Sequence, residues 1–415
     1  MSSVRLKALP WLMWSLPLAF FAYQFILRLW PSLLMQQIME QFSIEATAFG
    51  FLSAMYYFGY ASMQIPVAIL LDRYGAKLII ALCAILCGLS IFLFTFTNQW
   101  GLALLGRFLI GAASAVGFLG VSKAVSLWFP LNRYSTMIGL TFTFGLLGAL
   151  YGGKPVNYMI DTLGWQKVAS IIALFGIALG CFIFIFLKNP PTAKIHKNKI
   201  TLKDLQKTLK SPALIWLAVA NLLMVGSLEG FADVWGINYL ISAYKLEKSQ
   251  AAGLVSFIFI GMLFGGPLLA FLSTHWGVYK VIILCSLGMA GLFIGMLLGT
   301  STMNTFGLSA LFFCIGILSC YQVLVFTAGS NLMPAALLGV TVAFLNCINM
   351  LGGSFFHTII GFFMDLFWSG DMANGARVYT TQSYAYSLLT IPVCSIFGGS
   401  IVYGMQKLKS SALTT

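Results

Sequence analysis

Apolar runs of twenty or more residues alternate along the chain with short polar breaks, and only one polar break is long. The hydrocarbon core of a bilayer is about 30 Å thick, so a crossing helix needs about 20 apolar residues. Runs of that length predict twelve spans. Six cover residues 11–36, 48–71, 78–97, 101–126, 134–158 and 165–187. Six more cover 212–241, 250–273, 278–299, 304–328, 335–366 and 382–406. The long break, KNPPTAKIHKNKITLKDLQKTLK, runs from Lys188 to Lys210 and carries seven lysines. The expected fold class is an all-α integral membrane protein in two pseudo-symmetric halves. A six-helix bundle over 1–187 is followed by a basic cytoplasmic linker over 188–211 and a second six-helix bundle over 212–415.

Composition agrees with this pattern and excludes an ordinary soluble fold. Of 415 residues, 60% are apolar and 8% charged, against about 25% charged in a soluble domain. The net charge of +13 taken alone points to nucleic acid, but its placement does not. With the N-terminus inside, fifteen Lys and Arg fall in cytoplasmic segments. The external loops hold only four, Lys167, Lys245, Lys248 and Arg377. That asymmetry is the positive-inside pattern, so both termini are expected in the cytoplasm. The opening MSSVRLK precedes a long apolar run with no small-residue cleavage site, so it is read as leading into a retained first span. The eight cysteines lie in apolar runs without CxxC spacing and read as small core hydrophobes. No metal, cofactor or disulfide is expected. The absence of an Asn-X-Ser/Thr sequon fits a bacterial inner-membrane protein.

The two halves echo each other. Pro66 precedes DRYGAKLII in span 2, and Pro267 precedes STHWGVYKVII in span 8. Gly139, Gly152 and Gly153 of span 5 recur as Gly339, Gly352 and Gly353 of span 11, 200 positions later. This is the mark of a parallel 6+6 repeat. Glycines four apart, Gly148/Gly152, Gly261/Gly265 and Gly291/Gly295/Gly299, predict close helix contacts.

Charges inside spans cost at least about 2.5–3.5 kcal/mol each on insertion scales, so they need partners or a wet cavity. The first half contributes Arg28, Arg107, Lys123 and Lys154, and the second Glu229 and Asp233. Arg28 lies 18 residues after Pro10 and Glu229 lies 17 after Pro212. Both are therefore about 25–27 Å along matching spans, where opposite charges could meet across a central cavity. Glu229 and Asp233 are i and i+4 on span 7 and share one face. Two close, desolvated carboxyls favour protonating one of them, which makes the pair the candidate proton-coupling site. The plainer alternative puts Asp233 at the external surface, with Glu229 only neutralising Arg28.

Several segments resemble a known family. LLDRYGAK, Leu70–Lys77, resembles the signature loop of the major facilitator superfamily, with Ala68 standing where that signature usually has glycine. RFLIG, with Arg107 and Gly111, resembles its span-four motif, and GLLGALYGGKP its Gly/Pro motif in span five. The resemblance implies a twelve-helix alternating-access transporter in which Asp72, Arg73, Lys77 and Arg107 take part in gating. KAVSLWFP and ILRLWPS are similar to the anion:cation symporter branch, which implies carboxylate binding at Lys123 and Arg28. Resemblance extends to bacterial phagosomal and nutrient transporters. Leu27 and Leu131 replace acids expected in the symporter branch, which shifts proton coupling to span 7. Lys123 has a second reading, snorkelling to the interface.

Polar and aromatic candidates for lining a substrate site are Tyr23, Gln24, Tyr56, Tyr57, Tyr60, Gln64, Trp235, Gln322, Asn346, Asn349 and His357. Tyr and Trp also gather in interfacial belts, and His357 reads equally as a packed core histidine. The function expected is secondary transport of a small carboxylate-bearing solute with protons. That solute is an organic anion, or a zwitterion such as an amino acid or peptide. An importer or exporter of siderophores or amphiphiles is the alternative, and a membrane receptor is the reading from another class. No P-loop, HExxH or Ser/His pairing argues for an enzyme. The expected partners are the solute, protons and the bilayer, without nucleic acid, and the protein is expected to be a monomer.

Overall fold

A computed structural model describes residues 3–188, 210–299, 303–334, 337–373 and 375–414. Among them, twelve helices are long and apolar enough to cross a membrane. Spans 1 to 6 are Leu9–Phe42, Ala46–Tyr74, Ala76–Phe96, Trp100–Trp128, Thr136–Leu163 and Trp165–Phe186. Spans 7 to 12 are Pro212–Tyr244, Lys248–Trp276, Val278–Leu298, Thr305–Ser330, Leu338–Leu366 and Thr381–Leu408. The basic linker expected over 188–211 falls, at 189–209, outside the described residues.

Span 1 outruns its expected end because Pro31 interrupts it without ending it. A helix over Ser3–Leu29 passes into a 3-10 turn, Trp30–Leu34, and then a second helix, Met35–Phe42. Proline has no N–H and its ring crowds the carbonyl four residues back, so the ladder must change there. Span 7 is also composite. A helix over Pro212–Met224 widens into a π-helix, Gly226–Trp235, before Gly236–Tyr244 closes the span as α-helix. A Cβ on Gly226 would lie 2.6 Å from the Phe356 ring, and one on Gly230 would lie 2.9 Å from Phe356 Cβ. The two glycines therefore give Phe356 of span 11 its seat.

The chain divides into two compact units. The first comprises Met1–Pro31 and Met55–Lys199, and the second Ser32–Ala54 and Ile200–Thr415. Span 2 is thus shared, its first turns belonging to the second unit. Each unit repeats the same internal pairings through glycines at close helix contacts. In the first, Gly148 and Gly152 of span 5 press on Ala22 and Ile26 of span 1, Gly59 and Gly111 join spans 2 and 4, and Gly88 and Gly180 join spans 3 and 6. In the second, Gly352 of span 11 presses on Leu222 of span 7, Gly261 and Gly316 join spans 8 and 10, and Gly399 of span 12 meets Ser286 of span 9. Ser286 and Ser395 lock that last pair by exchanging hydroxyl-to-carbonyl hydrogen bonds of 2.7 and 3.0 Å.

Two expectations change. Gly291 and Gly295 have open space where a Cβ would stand, so they make no close helix contact. Cys181 and Cys314 are exposed and not core residues, whereas Cys87, Cys285 and Cys320 are buried. A spanning helix is apolar on its outward face too, so apolarity alone does not separate inside from outside. In the first unit Trp14, Leu18, Phe21, Val121, Val125 and Met137 form a core between spans 1, 4 and 5. Trp14 Nε1 donates to Thr141 Oγ1 at 2.9 Å within it.

Candidate functional site

The break in span 1 organises the polar group of the first unit. The last carbonyls of a helix have no partner within it, and Leu27, four residues before Pro31, carries the oxygen that the proline orphans. Arg107 of span 4, 1% exposed, meets this need. Its Nη1 donates to the Leu27 oxygen at 2.6 Å and its Nη2 to the Arg28 oxygen at 3.0 Å. The same guanidinium sits over Tyr56, 4.9 Å from the ring centroid. Arg107 therefore fixes the backbone that presents Arg28.

Arg28 is buried, with its guanidinium carbon 5.5 Å from the Tyr57 centroid and 5.8 Å from that of Phe25. One turn back, Gln24 Oε1 accepts from the Tyr56 hydroxyl at 2.8 Å. The Tyr56 and Tyr60 rings lie 6.1 Å apart, and Gln64 is buried a turn further along span 2. Gln24 and Arg28, four apart, share a face of span 1 and meet the tyrosines of span 2. A guanidinium held over aromatic faces in a dry setting gains about 2 kcal/mol. Its planar fork of donors matches a carboxylate in bidentate fashion. Tyr23 points elsewhere, donating to the Ile172 carbonyl at 2.9 Å and packing span 1 on span 6.

Lys123 and Asp72, expected in separate roles, meet: Lys123 Nζ is 2.7 Å from Asp72 Oδ1. Their side chains are 25% and 49% exposed, so the pair is worth about 0–1 kcal/mol. Beside it, Arg73 lies over Tyr74 at 5.2 Å and Lys77 over Phe184 at 5.1 Å. Lys154 starts the second piece of span 5 and is exposed.

In the second unit the acids sit on the π-helix, where the spacing argument assumed regular α-helix. Glu229 and Asp233 are 1% and 0% exposed. His357 of span 11, also buried, places Nε2 2.6 Å from the Glu229 carbonyl oxygen. A carbonyl only accepts, so Nε2 carries the proton and the ring acts as a strut for the π segment. π segments are rare and concentrate at functional sites. Trp235 ends the segment, buried, with its ring edge-on to Phe49 at 5.8 Å. Asn349 Nδ2 donates to Gln322 Oε1 at 3.5 Å, joining spans 10 and 11, and Asn346 is half-buried one turn before it.

Sequence reasoning missed three residues of the second unit. Asn221, two turns before Glu229, is fully buried, and its backbone oxygen accepts from the Tyr321 hydroxyl at 3.2 Å. Its amide atoms, with Gln322 Nε2 and Asn349 Oδ1, have no hydrogen-bond partner among the described residues. A lone Asn in LAVANLLM was the available signal. The others are Asp365, at the end of span 11, and Tyr379, in the loop beyond it. Each bonds the first turn of span 2.

The Major Facilitator Superfamily family model matches residues 15–357. Among curated proteins, the chain is 24% identical over 246 residues to the hexuronate transporter of Bacillus subtilis, covering 55% of this chain and 57% of that one. It is 28% identical over 164 residues to the uncharacterized transporter YybO of Bacillus subtilis, covering 39% and 38%. It is 24% identical over 165 residues to the "Probable galactarate/D-glucarate transporter GarP" of Escherichia coli, covering 37% and 36%. The matches thus span between about a third and three fifths of these relatives' lengths. Among solved structures, a bacterial homolog of the human lysosomal transporter Spinster superposes with a TM-score of 0.75 at 16% identity, covering 96% of this chain and 97% of that one. The nucleoside transporter NupG gives 0.73 at 15%, covering 94% and 99%. Twelve spans, a fold shared with solved transporters and a family match running from the first span into the eleventh place this multi-pass inner-membrane protein in the Major Facilitator Superfamily.

Proposed function

We propose that the protein is a secondary active transporter that moves a small carboxylate-bearing solute by alternating access, coupled to protons, with both termini in the cytoplasm. The observation that carries this reading is Arg28: a buried cation braced by Arg107 and framed by Gln24, Tyr56 and Tyr57. The planar fork of a buried guanidinium is matched in charge and shape to a carboxylate. Partial relatives named for hexuronate and galactarate/D-glucarate transport agree with the choice of solute class. Within the second unit, Asn221, Gln322 and Asn349 present neutral donors and acceptors of a kind suited to hydroxyl-rich organic acids.

Glu229 and Asp233 take the protons in this scheme, since a buried carboxyl pair resists double ionisation. A screen of purified protein against hexuronates, aldarates, amino acids and peptides finds the solute through thermal stabilisation, which follows affinity for the folded state. Counterflow in proteoliposomes then separates a transporter from a receptor, because a receptor binds without exchange. Proteins with Glu229→Gln or Asp233→Asn are expected to retain counterflow and lose accumulation driven by a pH gradient. If both variants still accumulate solute on a pH gradient, the coupling assignment is wrong.

A further inference from the structure

We propose that Asp365 is the hub of a latch that clamps the first turn of span 2 to the last turn of span 11 in one state of the transport cycle and releases it in another. The proposal rests on the transporter reading, and every contact in it lies inside the second unit. Span 2 begins at Ala46, and the first N–H groups of a helix have no partner within it. Asp365 supplies acceptors from another span. Its Oδ1 accepts from Ala46 N at 3.2 Å, its Oδ2 accepts from Thr47 N at 2.7 Å, and the Thr47 hydroxyl donates to Oδ2 as well. A carboxylate there also meets the positive end of the helix dipole.

The loop after span 11 returns to the same point. A short hairpin, Met372–Ala373 with Ala376–Arg377, turns through Gly375 at φ +79° and brings back Arg377 and Tyr379. The Tyr379 hydroxyl donates to Asp365 Oδ1 and accepts from Ala46 N at 3.0 Å. Burial first, and then the Asp365 carboxylate, hold the Tyr379 phenol above its ordinary value, so it remains a donor. Arg377 Nη1 is 3.4 Å from Asp365, and Nη2 pairs with Glu45, the residue just before span 2. Trp368 backs the guanidinium at 4.2 Å.

Beyond the clamp the two helices run with backbones touching. Gly361 lies against Ala46, Gly50 lies against the His357 carbonyl, and Ser354 Oγ donates to the Ala54 carbonyl at 3.3 Å. The remainder of span 2, from Met55 on, belongs to the first unit, so one helix is divided between two bodies. Its outermost attachments are hydrogen bonds and ion pairs at half-exposed side chains, with Arg377 23% and Glu45 51% exposed. Bonds of that kind exchange with water at small net cost, which makes the joint reversible. With the N-terminus inside, the latch lies at the external face.

The test uses full-length protein without its native cysteines, carrying Ser53→Cys, in right-side-out vesicles. Ser53 is fully buried on span 2, beyond the clamp. Labelling by a membrane-impermeant maleimide is expected to rise about tenfold with Asp365→Asn, the scale that losing one charge-assisted hydrogen bond sets. Gly50→Val, which forces the two backbones apart without touching the polar cluster, is expected to do the same. Should Asp365→Asn fail to reach the membrane, Tyr379→Phe removes one hydroxyl and gives a smaller rise. Unchanged labelling in variants that melt like the parent overturns the latch. Absence of counterflow in the parent protein would count against the transporter reading instead, and the labelling comparison would still decide the latch.

Discussion

The polar groups of the two units solve one problem by opposite means. In the first, a proline breaks the helix and a side chain from another span repairs it, Arg107 taking the Leu27 and Arg28 carbonyls. In the second, the helix stays continuous but widens to the π register, with Gly226 and Gly230 admitting Phe356 and His357 bracing the Glu229 carbonyl. One group is cationic and framed by aromatic rings, and the other carries the acids. A repeat can thus keep its helix pairings while its two copies diverge in charge and in backbone.

The largest expected effect tests the cationic side. Arg28→Ala should lower carboxylate uptake about 100-fold or more, the scale of losing one partner of a buried charge-assisted contact. Arg28→Lys should restore little, because an ammonium lacks the planar fork. Uptake at parental rates in Arg28→Ala would remove the basis for the solute class. Next comes the repair itself. Arg107→Ala leaves two buried carbonyls without their donor and should cost about 2–4 kcal/mol of stability, read as a lower melting temperature in detergent. If the loss is no larger than that of a surface substitution, the break in span 1 is held by something else. The smallest effect belongs to the exposed pair. Lys123→Ala should shift the melting temperature by no more than about 1 kcal/mol would, since Asp72 remains solvated. A charge-swapped Lys123→Glu protein with normal uptake would confine that lysine to the pairing with Asp72.

Much of this was legible in the chain. Run lengths placed the spans, because bilayer thickness sets them, whereas the break at Pro31 did not stand out, since Pro10 and Pro17 lie inside the same span without breaking its helix. Arg28, Glu229 and Asp233 were legible as buried charges, since charge inside an apolar run is conspicuous. The π register was not, because it depends on Phe356 fitting against two glycines from a distant span. Nor was the pairing of Lys123 with Asp72, which joins the ends of two spans far apart in sequence. The hub at Asp365 was hidden because its partners come from Ala46, Thr47 and a returning loop. Asn374–Gly375, a strong short hairpin signal, was the readable clue to that loop. Glycine spacing misled at Gly291 and Gly295 because it does not say which face of a helix has a neighbour.

Span 2 runs unbroken over 29 residues, about 44 Å of rod at 1.5 Å per residue. Asp72 rides in its last turn and Thr47 in its first, with Pro66 as a point of give between them. The helix links the two ends mechanically only as far as that proline allows, without any chemical relay. Loosening the grip on Thr47 would therefore be felt at the Asp72 carboxylate, and a ligand that drew Lys123 away would tug on the far end in return.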